Sequence, residues 1–150
     1  MSAFATAGVG FQLAVLWMDL MFDVHVLRHR SLAPELPEPV LASIAGYYRR
    51  VTTDASPMGR VIGAVMLATI GALISELIRG GRPAWVSLAS LALAAAPVAL
   101  AGLRVFPSAR RLGARRDALA EQSRLARAIC RDHLVRLAAV GTLLTIRLGA

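Results

Sequence analysis

Four stretches of about 20 mostly apolar residues decide what this chain can become. They fall at residues 4–27, 58–77, 84–105 and 129–148. Each is long enough to cross a bilayer as a helix, the form that satisfies every backbone N–H and C=O within one segment. The expected fold is therefore an all-α integral membrane four-helix bundle, one domain over residues 1–150. The chain is 57% hydrophobic with mean hydropathy +0.60, well above an ordinary soluble domain. The first run carries no basic leader and ends in carboxylates, so it reads as a retained helix and not a signal peptide.

The net charge is +8, and all 17 basic residues are arginine. The lack of lysine, with abundant Ala, Arg, Leu, Gly and Val, points to a GC-rich bacterial genome. Such basicity would suggest nucleic acid in a soluble protein, but arginine placement explains it more simply. Arg28, Arg30, Arg49 and Arg50 lie between the first two runs, and Arg60 stands at the start of the second. Arg110, Arg111, Arg115, Arg116, Arg124 and Arg127 lie between the last two, with Arg104 and Arg131 at the facing ends of those runs. In a four-span topology these thirteen share one side, against Arg79, Arg82 and Arg147 on the other. The positive-inside rule then puts both long loops in the cytoplasm and both termini outside, in a bacterial inner membrane. Anionic headgroups are the expected partners of the arginine-rich loops, and no nucleic acid is expected.

Proline and glycine punctuate the rest. Pro39 starts a short interfacial helix reaching Arg50, with Val40, Ile44 and Tyr47 or Tyr48 as its apolar stripe. Tyr47 and Tyr48, beside Arg49 and Arg50, are expected at headgroup level. Ser56 followed by Pro57 reads as an N-cap with proline in the first helical position. Gly80, Gly81 and Pro83 make a tight turn, and Trp85 suits the outer aromatic belt. Pro97 should kink the third span. Pro107 and Ser108 mark a break before a basic helical segment over residues 110–132. In the second span, Ala64, Ala68, Gly71 and Ser75 form a strip of small side chains that would let a neighbouring helix approach closely. Ala138, Gly141, Thr142 and Thr145 are the small residues of the fourth.

The stretch LWMDLMFDVH carries the ionisable groups that matter most. Asp19 and Asp23 are four apart and share a helix face. Ionisable groups inside a span are costly and default to functional candidates. At about 1.5 Å per residue, Asp19 lies about 7 Å and Asp23 about 13 Å to the cytoplasmic side of the midplane. On the fourth span Arg136 and His133 come out at about 5 and 9 Å on the same side. Asp19, Asp23, Asp132, His133 and Arg136 are therefore expected to meet at one level. The cluster reads as an ion-pair lock, with Arg136 taken by Asp132 or Asp19. It reads alternatively as a cytoplasm-facing pocket in which His133 acts as acid or base, Arg136 grips an anion and Asp19 assists. His25 points away from that face. Two carboxylates and a histidine resemble an iron or manganese ligand set. The Glu-x-x-His pairs of di-iron bundles are missing, however, and no metal or cofactor is expected. Glu76 is expected to make an interfacial ion pair near Arg79 and Arg82. Cys130, the lone cysteine, can make no internal disulfide.

The segments ASPMGRVI, VFPSARRL and RDHLVRL resemble those of the anthrone-oxygenase-like family of small four-helix membrane proteins. The resemblance covers about the last two-thirds of the chain. That family carries a proline motif after helix three, matched by Pro107 with Leu112, and a His-x-x-Arg pair opening helix four, matched by His133 with Arg136. Ala109 stands where the motif usually has asparagine. The resemblance implies the four-helix fold and cofactor-independent oxygenation of an aromatic polyketide-like substrate.

Two functions follow from the sequence. The first is an accessory or interaction subunit of a membrane complex, joined to a partner or to a second copy through the strip on the second span. The alternative is a small membrane enzyme or binding protein that acts on an aromatic or quinone-like lipophile between spans one and four.

Overall fold

Prolines stand at the start of three of the helices, where a missing N–H costs nothing. The computed structural model describes residues 2–29, 35–80 and 82–149. Arg30 and Gly81, counted above in a loop and a turn, lie outside the described residues. Five helices account for nearly all of it. Helix α1 is Ser2–Arg28, and α2 is Glu38–Arg49, which runs on into a π-turn at Arg50–Asp54. Helix α3 is Ser56–Arg79, α4 is Ala84–Ala114 and α5 is Leu119–Gly149. No strand occurs among the described residues.

The long helices touch in a cycle: α1 on α3, α3 on α4, α4 on α5, and α5 back on α1. Ala5, Val9, Leu16, Leu73, Ala94, Val140 and Leu143 fill the space between them. Helices α1 and α3 pack tightly where Gly8 meets Thr69, since a Cβ on Gly8 would overlap the Thr69 side chain. A second core closes one end. There α2 lays Leu41, Ile44, Ala45 and Tyr48 against Val105, Ala109 and Leu112 of α4 and Leu125, Ala126 and Ile129 of α5. Gly113 is needed at this junction, because a Cβ there would come within 2.8 Å of the Arg49 backbone nitrogen.

Among the described residues, three helices are long and apolar enough to cross a membrane: Ala3–Arg28, Pro57–Arg79 and Ala84–Ala114. The last helix is not one of them, because charged residues dilute its hydropathy.

Several boundaries differ from expectation. Helix α4 does not end at Val105 but passes through Pro107. A π-turn at Ala101–Val105 precedes the proline, so the missing N–H falls where the ladder has already changed register. The break comes instead at Arg115, whose φ of 52° is left-handed. The basic segment is thus split between the end of α4 and the start of α5. The α3 N-cap is Ala55, and Ser56 is already helical. Helix α2 forms as expected, but its apolar stripe docks onto protein.

Candidate functional site

One imidazole lies at the join of the two cores. His133 on α5 is 1% exposed, and its Nδ1–H donates to Asp23 Oδ2 at 2.6 Å. The other oxygen of Asp23 accepts the Tyr48 hydroxyl at 2.7 Å. On the far side of the ring, His133 Nε2 stands 3.6 Å from Asp19 Oδ2, beyond hydrogen-bond length. Asp19 Oδ1 accepts the Tyr47 hydroxyl at 2.6 Å. The order is Tyr47–Asp19–His133–Asp23–Tyr48, with three helices contributing.

Local sequence explains the arrangement. The four-residue spacing of Asp19 and Asp23 sets one carboxylate on each side of the ring. Tyr47 and Tyr48 are adjacent on α2 and reach different carboxylates. Phe22 stacks on Tyr47 with ring centroids 4.1 Å apart, fixing that phenol over α1. Burial, and next the nearby carboxylates, push both phenols well above the usual tyrosine range. Both therefore remain donors at neutral and moderately alkaline pH.

Of the five residues expected at one level, Asp19, Asp23 and His133 come together directly. Arg136 lies one helical turn further along α5 and is buried at 5% exposure. It makes no ion pair with a described carboxylate, and its Nε has no hydrogen-bond partner. Asp132 faces α4 instead, with Arg104 Nε at 3.6 Å and Arg131 Nε at 3.8 Å. The expected Asp132–Arg136 and Asp19–Arg136 pairs do not form, because each carboxylate is already engaged elsewhere. His25 stays outside the cluster, its carbonyl accepting from His29 Nδ1.

Tyr47 and Tyr48, expected beside Arg49 and Arg50 at headgroup level, turn their hydroxyls inward onto the α1 carboxylates, a role that reading the sequence missed. The signal was their place in the α2 stripe, since a buried tyrosine hydroxyl needs a partner. Glu76 does form an ion pair, but with Arg147: Nη1 is 2.9 Å and Nη2 3.1 Å from its two carboxylate oxygens. This bidentate contact ties α3 to α5 at the opposite end from His133, and Thr6 on α1 lies 3.4 Å from Arg147 Nε.

Two cavities open elsewhere on the surface. One, of about 420 Å³, lies between α1 and α3 against Phe4, Ala7, Gly8, Phe11, Ala64 and Ala68. Ala64, Ala68 and Gly71 are exposed and Ser75 is half-buried; the strip faces outward. No group of three or more His, Cys, Asp or Glu among the described residues is arranged to hold a metal ion. Chemically, the site sets an imidazole between two carboxylates, near a buried guanidinium whose Nε lacks a hydrogen-bond partner.

The chain is thus an all-helical protein whose three long apolar helices fit a membrane protein. Searches of protein families, curated proteins and solved structures find no match.

Proposed function

We propose that this is a four-crossing protein of a bacterial inner membrane that serves as an accessory or interaction subunit. The fourth crossing is the second half of α5. From Asp132 onward its charged groups, Asp132, His133, Arg136 and Arg147, are all buried. The residues it exposes there are Val135, Ala138, Thr142, Thr145, Leu148 and Gly149. The Thr142 and Thr145 hydroxyls bond back to their own helix. These 18 residues span about 27 Å, enough for a hydrocarbon core.

The observation that carries the interaction reading is the exposed strip Ala64, Ala68 and Gly71. Ala64 and Ala68 rim the cavity against α1 yet stay exposed, and a Cβ on Gly71 would meet nothing within 4 Å. Small residues left open in lipid allow a partner's helix to approach until backbones pack. The test is A68L/G71L, beside a control A14L on exposed Ala14 of α1. The α3 variant should lose its partner on purification in mild detergent, and the control should keep it. A monomer that captures nothing in either form would overturn the reading.

A second reading has one observation of its own, the buried Arg136 with its unsatisfied Nε. It makes the His133 cluster a binding or catalytic site for a quinone-like lipophile, in line with the resemblance noted above. His133→Gln should abolish binding of a short-chain ubiquinone analogue, followed by fluorescence, while leaving the unfolding temperature within a few degrees. A variant that unfolds, or a wild type that binds nothing, would leave only the structural role.

A further inference from the structure

Arg124, Arg127 and Arg131 recur along α5 at intervals of three and four, so they form one axial stripe. With Ala128 they line a surface groove of about 550 Å³. The stripe continues without a change of direction into Val135, Ala138 and Thr142, all exposed. Within one turn, between Arg131 and Val135, its chemistry changes from guanidinium to hydrocarbon. Helix α4 supplies the border of that boundary. Buried Asp132 lies between Arg104 of α4 and Arg131 of α5 and holds the two guanidiniums near each other. Beside Arg104, Leu103 and Phe106 are exposed and extend the apolar side. Cations are in excess: Arg104, Arg111, Arg124 and Arg131 share Asp132, Glu121 and Asp117.

We propose that this stripe binds one anionic glycerophospholipid, with its phosphate between Arg127 and Arg131 and an acyl chain along Val135, Ala138 and Thr142. Guanidinium forks match phosphate oxygens two at a time. The shallow side chains at Ala138 and Thr142 leave a channel in which an acyl chain can lie. A free phosphate would use only the upper half of this surface, and a zwitterionic lipid would leave the cationic excess unmet. The proposal rests on the reading of α5 as a crossing helix and gives the general attraction of basic loops to lipid a defined place.

The test uses the full-length protein in a neutral maltoside. It is titrated with tetraoleoyl cardiolipin, dioleoyl phosphatidylglycerol, dioleoyl phosphatidylcholine or inorganic phosphate. Native mass spectrometry counts retained lipid, and thermal unfolding reports protection. The anionic lipids should be retained at one per chain and should raise the unfolding temperature; phosphatidylcholine and inorganic phosphate should do neither. R127Q/R131Q should weaken retention by about fivefold per guanidinium removed. A138W, which alters no charge, should weaken it as well, and R110Q/R116Q elsewhere on the basic surface should not. Should the glutamine variant fail to fold, R127K/R131K keeps the charge but loses the fork and should still bind more weakly. Equal protection by phosphatidylcholine, equal protection by inorganic phosphate, or equal loss in R110Q/R116Q would each overturn the site. Alkaline carbonate extraction separates this from the membrane reading. Chain that stays in the membrane but retains no lipid removes the site alone, whereas chain that is extracted removes both.

Discussion

Each carboxylate of the His133 cluster is met by a phenol, and the two phenols differ in setting. Tyr48 is 2% exposed and donates to Asp23, which is wholly buried. Tyr47 is half-buried and donates to the more accessible Asp19. Removing a donor from a buried carboxylate costs about 1–3 kcal/mol, so Tyr48→Phe should destabilise more than Tyr47→Phe. The sign of the pH dependence follows from burial raising both phenol pKa values. Below about pH 10 the phenols are protonated in folded and unfolded chains alike, and their contribution is fully present. Above that the unfolded chain ionises first, binds fewer protons, and stability falls as pH rises. Unfolding temperature measured from pH 8 to 11.5 should drop above about 10 in the wild type and drop less in Y47F/Y48F. Parallel curves would show that the phenols are not the titrating groups. Depth counting along straight helices was enough to place Asp19, Asp23 and His133 together. It could not reach Tyr47 and Tyr48, which arrive from a segment outside the spans. Nor could it foresee that Asp132 turns to Arg104, since that needs the position of a neighbouring helix.

At the scale of elements, apolar runs and proline positions made most helices legible, and errors collect where one local rule overrode another. Pro107 reads as a stop because proline normally breaks the i→i−4 ladder. A π-turn just before it absorbs the change, and nothing in the run AGLRVFP announces that. The consequence is large. Helix α4 carries Ala109, Leu112 and Gly113 beyond its apolar stretch and builds the platform on which α2 docks, bringing the tyrosines to the carboxylates. The turn then falls at Arg115, which pays for its left-handed backbone partly through two hydrogen bonds to Glu38 at 2.6 and 2.8 Å. The strip on α3 shows the opposite case. Its spacing was visible, but the intrachain contact of α3 with α1 uses Gly8 and Thr69 instead. Only the fold shows that the strip stays exposed at the rim of a cavity with α1.

For the whole molecule, the decisive question is whether α5 crosses. Averaged hydropathy leaves it out of the candidate spans, while the sorting of its residues by face supports the proposed crossing. An average cannot tell a charge facing lipid from one facing a partner inside the bundle, and a helix with buried Asp132, His133, Arg136 and Arg147 is where the two measures part. Between the polar groups at its two ends lie Leu16, Leu73, Val140 and Leu143, with Gln12 and Ser90 also buried in the bundle. If α5 crosses, both termini share one side and the exposed face of α2 lies on the other. In a Cys130→Ser background, Ala3→Cys, Ser43→Cys and Gly149→Cys report the three positions to a membrane-impermeant maleimide applied to intact spheroplasts. Ala3→Cys and Gly149→Cys should label before lysis, and Ser43→Cys only after it. Labelling of Ala3→Cys with protection of Gly149→Cys would mean three crossings, with α5 lying at the cytoplasmic surface. Its inward charges would then have to be explained by packing alone.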